Sequence, residues 1–253
     1  KTGSFSGTPD DFLPVALAAE RSCYAPRFSM WRDTFGSAFK LRPFVRAHLF
    51  QQDVVQDFFN EVFEGEAFTL GETPRVNEAL SVPELAAMRR VQAVLIARNV
   101  APHLRLSFGG AMGRAMPGTA GRYSEKPQLT QAHGAALWAR FSEDAAQTDR
   151  LFFDAPALTQ AFEQALARAV GPAQDYDAQA YFPARRLRKM EQLAARVADC
   201  FEAMPGAWRA DYQYLRGQRF VALKDQPDAR KRQKNAKQVW ALIDKLSKLM
   251  VQP

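Results

Sequence analysis

Apolar residues recur at helical spacing through most of this chain, and the breaks in that rhythm mark its turns. Thr8 or Asp10 caps a first helix reaching about Arg21, with Phe12, Leu13, Val15 and Leu17 as apolar positions and Pro14 held to an early turn. Phe28, Trp31 and Phe35 form the face of a second helix that Gly36 stops. Ala38–Phe44 instead alternates apolar and basic residues and predicts a short strand closed by Pro43. Asp53 then caps a helix with Val54, Val55, Phe58, Phe59 and Val62 on one stripe. Ser81, Pro83 and Glu84 make a capping-box start for a helix to about Ala97. Leu104–Phe108 predicts a strand, Gly109, Gly110, Gly113 and Pro117 predict a loop over 109–127, and Thr130 caps a helix running toward Phe152. Apolar residues at 190, 193, 197, 200 and 204, and again at Val239, Ile243, Leu246 and Met250, predict two helices with packing seams. No internal repeat is visible.

A strand followed by a helix is half of a βαβ unit, so the pattern predicts an α/β fragment, predominantly α-helical, with much of its sheet absent from this chain. Composition agrees with a packed protein: 253 residues, 47% hydrophobic and 24% charged. Two cysteines, Cys23 and Cys200, are too few for a disulfide framework or a zinc site, which points to a thiol-reducing, cytoplasmic setting. No apolar run is long enough for a transmembrane helix, and the start at Lys1 rather than Met is read as trimming.

Charge changes the picture more. The net formal charge is +7, and residues from Arg216 onward hold ten Lys/Arg against three Asp/Glu, so the whole surplus lies in the tail. Most of it is Arg230-Lys231-Arg232-Gln233-Lys234-Asn235-Ala236-Lys237. Such a run either forms a solvated helix face or neutralises an anionic partner: nucleic acid, glycan or phospholipid. Only Trp240 lies near enough to offer a stacking platform for bases.

Signatures of known chemistry are sparse. KTGSFSG at residues 1–7 has the composition of a phosphate loop, but its Lys leads and no strand precedes it. Ser107–Gly113 is glycine-rich without fitting G-x-G-x-x-G. His48, His103 and His133 lack metal-ligand spacing, and His48 and His133 are read as general-base candidates or as surface and capping residues. The carboxylate pairs Asp10-Asp11 and Glu143-Asp144 fall at or inside helices, where they complement dipoles or face water.

One ordered set of residues goes further. Trp31-Arg32-Asp33-Thr34-Phe35-Gly36, then Lys40–Phe44 ending in Arg-Pro-Phe, Leu49, Asp53–Phe58 and Arg75–Ser81 resemble the downstream half of bacterial sulfotransferase-like proteins, which carry W-x-x-x-F-G, R-P-F, D-V-V-x-D-F and N-x-S-L-S in that order. The resemblance spans about residues 5–155. It implies a P-loop α/β fold that moves a sulfuryl group from 3′-phosphoadenosine 5′-phosphosulfate (PAPS) to a hydroxyl, often on a glycan. In that family a K-x-G-[ST]-[ST] loop well upstream holds the donor. About thirty residues separate Lys1 from Trp31, so the resemblance implies that this chain lacks the donor loop and is inactive alone. Gly121-Arg122-Tyr123 is similar to the K-G-R-x-Y-P loop that helps hold the donor nucleotide, with Ala120 in place of the Lys and Pro127 displaced; the resemblance makes these three the donor-binding candidates. Val45 and Ala79 depart from the acidic residue and the Ser of the pattern. The expected organisation is a partial sulfotransferase-like domain over 1–155 and a helical extension with a basic tail over 156–253.

Overall fold

The computed structural model describes residues 7–71, 80–116, 125–217 and 221–251. The structure is 72% helix, with ten α-helices and no strand among the described residues. An isolated parallel bridge joins Thr130 and Val170. The chain separates into two compact units, one of 1–8, 77–127 and 174–253, the other of 9–76 and 128–173.

The first unit contains α4 (Val82–Ala97), α5 (Pro102–Ala115), α8 (Ala184–Ala203), α9 (Ala207–Leu215) and α10 (Ala229–Val251). α8 packs on α4 and α10, and α10 also covers α9 and α5. The seams expected from spacing close at all but one position: Met190, Leu193, Val197 and Cys200 on α8 meet Val239, Ile243, Leu246 and Met250 on α10 in a single core, while Met204 falls past the end of α8 as its C-cap and outside that core. Burial pushes the Cys200 thiol up, as a packed apolar cysteine requires. Aromatic rings fill the centre, with Trp208 stacked on Tyr212 and set edge-on to Trp240. At the start of α4 the Ser81 N–H donates to Glu84 Oε2 at 2.7 Å and the Glu84 N–H returns to Ser81 Oγ, completing the expected capping box.

The other unit contains α1 (Pro9–Leu17), α2 (Ala25–Phe35), α3 (Val54–Val62), α6 (Gln131–Phe152) and α7 (Ala157–Ala167). α6 is its axis, with α1, α2 and α7 packed on it. The first residues of α2 and α7 have no cap of their own: Tyr24 and Pro156 place no side chain on the exposed N–H groups. Carboxylates from α6 supply both. Asp144 accepts from the N–H groups of Tyr24 and Ala25 at 2.7 and 3.2 Å, and Asp149 accepts from Leu158 N, Thr159 N and Thr159 Oγ1 at 2.9, 2.9 and 2.7 Å. The dipole role expected for Asp144 is therefore played on a helix more than a hundred residues away in sequence. Gly134 lets α7 approach α6, since a Cβ there would sit 2.6 Å from Leu166 Cδ2.

Two expected strands do not form. Ala38–Phe44 keeps the alternation, with Phe39, Leu41 and Pro43 turned inward and Lys40, Arg42 and Phe44 outward. It has no partner to pair with among the described residues, so no ladder exists, and its end turns tightly as the Val45 N–H bonds to the Pro43 carbonyl at 2.8 Å. Leu104–Phe108 is helical, and the helix continues to Ala115 where a loop over 109–127 is expected; residues 117–124 of that stretch lie outside the described residues. Pro102 opens α5 and Leu104, Phe108, Ala111 and Met112 share its buried face, a 3.6-residue stripe that overrides the glycines. Gly110 is needed there because a Cβ would lie 2.8 Å from Tyr212 Oη. The α/β expectation thus gives way to a helical architecture among the described residues.

Candidate anion-binding surface

The basic run occupies the first turns of α10. Successive residues rotate by about 100° around a helix. With Ala236, Val239, Ile243, Leu246 and Met250 facing the core, Arg230, Lys234 and Lys237 fall on the opposite side, and Lys245 and Lys248 extend that stripe. Arg230, Lys231, Lys234 and Lys237 are exposed and make no ion pair among the described residues. Lys248, by contrast, pairs with Asp244 at 2.8 Å. The first turn of α10 also has no acidic residue. Cations there oppose the partial positive charge at a helix N-terminus, so this placement costs helix stability rather than adding to it. The helix is held from below instead: Asn235 Nδ2 donates to the Cys200 carbonyl at 2.9 Å, and Trp240 Nε1 donates to Asp211 at 2.8 Å. Trp240 is turned into the aromatic stack with Trp208 and Tyr212, leaving the basic face without a ring for a base to stack on.

A second polar centre joins the segments that carry the motif resemblance. Asp57 is 3% exposed and takes both arms of Arg42, at 3.1 Å from Nε and 2.7 Å from Nη2. It also accepts from Phe50 N at 2.7 Å, while Arg42 Nη2 reaches the His48 carbonyl at 3.2 Å. Asp53 caps α3 through the N–H groups of Val55 and Gln56. The Arg42 hydrogen bonds hold the Asp57 carboxyl below its usual range despite desolvation, and Asp57 in turn raises the Arg42 guanidinium. This centre is saturated by its own partners, which suits fixing the chain more than reacting.

Residues 1–6 of the opening KTGSFSG run, and Gly121, Arg122 and Tyr123, lie outside the described residues, as do Ala79 and most of 75–81. Ser107–Gly113 lies within α5. His48 ends a short turn, His103 is exposed in the first turn of α5, and His133 bonds through Nε2 to Asp10 at 2.7 Å, tying α1 to α6. The three histidines do not meet, and no group of metal-ligating side chains forms among the described residues. Cys23 and Cys200 are both free thiols. No helix of the described residues is long and apolar enough to cross a membrane. No family model, curated protein or solved structure matches the chain.

Proposed function

We propose that this protein engages a polyanionic chain, such as an acidic glycan, through the outer face of α10. The observation that supports it most directly is the set of four exposed cations without carboxylate partners among the described residues, at the end of a helix where local electrostatics disfavours them. Recognition would be by charge spacing and would weaken with salt. The test replaces Arg230, Lys231, Lys234 and Lys237 with Gln together, which leaves the α10 core face intact, and measures heparin binding against salt concentration. The wild type should show a steep salt slope, made shallower in the variant by about one for each cation that pairs with the polyanion. Equal binding by both proteins would overturn the reading.

A second reading follows from the sulfotransferase resemblance and has its own structural support. Its Arg-Pro-Phe and D-V-V-x-D-F segments are bound to each other through Arg42 and Asp57, so these two segments act as one physical unit. The helices in these segments also leave apolar stripes open, as helices that cover a sheet do: Val54, Phe58 and Val62 on α3 are 46%, 60% and 54% exposed. On this reading the parent activity is sulfuryl transfer from PAPS to a glycan hydroxyl, Gly121, Arg122 and Tyr123 contact the donor, and the isolated chain does not turn over. Sulfate transfer from PAPS to a glycan panel, assayed with the native protein from its source and with the 253-residue chain, tests it. Transfer by the native protein alone agrees; no transfer to any acceptor, or full transfer by the isolated chain, sinks it.

A further inference from the structure

Between α5 and α9 two arginines share one aromatic ring. The Arg114 guanidinium lies 5.0 Å from the centroid of Tyr212 and that of Arg216 lies 5.7 Å from it. Stacking orients both forks around a ring that is 4% exposed, while the charged heads remain open to solvent. Neither arginine has a carboxylate in salt-bridge range among the described residues, although Arg42, Arg90 and Arg98 each have at least one. Arg114 is held below the usual arginine range, first by desolvation and then by the positive charge of Arg216.

The hydroxyl adds a third group. Arg114 Nη2 donates to Tyr212 Oη, so the phenolic proton points away from that bond and finds no acceptor among the described residues. Gly110 keeps this corner clear, because a Cβ would stand 2.8 Å from Tyr212 Oη and 3.8 Å from Arg114 Nη2. Repulsion between two guanidiniums at one ring is relieved when an anion sits between them. Two planar forks and an O–H donor match the several oxygens of a tetrahedral ion better than a single halide.

We propose that Arg114, Arg216 and the Tyr212 hydroxyl form a binding site for a tetrahedral oxyanion of the phosphate or sulfate class. The site is independent of α10 as a polyanion surface: its residues lie on α5 and at the end of α9, and its ligand is a single ion or ester terminus.

The experiment is calorimetric titration of the full chain with inorganic phosphate, inorganic sulfate and methyl phosphate, with chloride as control at matched ionic strength. Phosphate and sulfate should bind at one site per chain, and chloride should not compete. Binding of methyl phosphate as well assigns the ligand to an ester terminus, and its failure beside phosphate binding assigns it to the free ion. Arg114→Gln and Arg216→Gln should each weaken binding about tenfold or more, as expected for loss of a charge-assisted bond. Tyr212→Phe, which keeps the ring, should weaken it by a smaller factor. Lys234→Gln should leave it unchanged, which separates this site from α10. Circular dichroism and thermal melting establish that each variant is folded. Failure of phosphate and sulfate to bind, equal binding of chloride, or full affinity in a folded Arg114→Gln protein overturns the proposal.

Discussion

The two units solve the packing problem in opposite ways. In the first, five helices bury their stripes against one another around Trp208, Phe108, Met190 and Ile243. In the other, most large apolar residues between Phe12 and Phe63 stay at least partly exposed, Trp31, Phe35, Phe44, Phe58 and Val62 among them, and specific polar bonds supplement the ring contacts of Phe28, Trp31, Phe39 and Phe152. Asp144 and Asp149 cap two helices from a third, His133 meets Asp10, and Arg42 grips Asp57. The spacing of apolar residues is equally regular in α3 and in α8, so a helical stripe reports a face that can be buried, not whether its partner is in hand.

Removing one large side chain from each unit should separate the two most strongly. Leu246→Ala should cost about 2–5 kcal/mol, because the truncated side chain leaves a cavity in a close-packed core. Phe58→Ala should cost less, on the order of 0.5–1 kcal/mol, since its side chain is 60% exposed and its ring meets a neighbouring ring, Phe59, edge-on. Urea unfolding of both variants checks this, and similar losses would erase the distinction.

Next in size is the polar fixing of α3. Asp57→Asn should cost about 2–3 kcal/mol, reduced from the figure for a fully buried pair because Arg42 is solvent-accessible. The folded pKa of Asp57 is lowered, so its contribution is complete above the unfolded carboxylate value near about 4 and is lost as pH falls through the folded value. Stability curves of wild type and variant should therefore separate at neutral pH and converge in acid. A gap that stays constant through the acid range would show that the ion pair is not its source.

Smallest is the borrowed cap. Asp144→Ala should cost about 1 kcal/mol and act locally, speeding amide exchange at the start of α2 while leaving α7, capped by Asp149, protected. Uniform exchange across both helices would mean the caps are not independent.

The sequence by itself settled what depends on neighbours in the chain. Asp53, Ser81 and Thr130 were legible as caps because each bonds to N–H groups two or three residues ahead. The seams of α8 and α10 were legible because a regular stripe has one geometry on a helix. Alternation in Ala38–Phe44 predicts a strand, yet a strand also needs a paired edge, and none forms among the described residues. Gly110 reads as part of a loop because its purpose, room for Tyr212 Oη, lies on another helix, while a Cβ at Gly113 would meet nothing. Arg114 and Arg216 gave no local sign for the same reason, although Tyr212 and Arg216 do stand four residues apart, a helical spacing that pairs a ring with a cation. Caps and stripes are set within a few residues along one helix. Which carboxylate caps a distant helix, and which arginines are left without one, is decided only when segments a hundred residues apart are brought within a hydrogen bond's length.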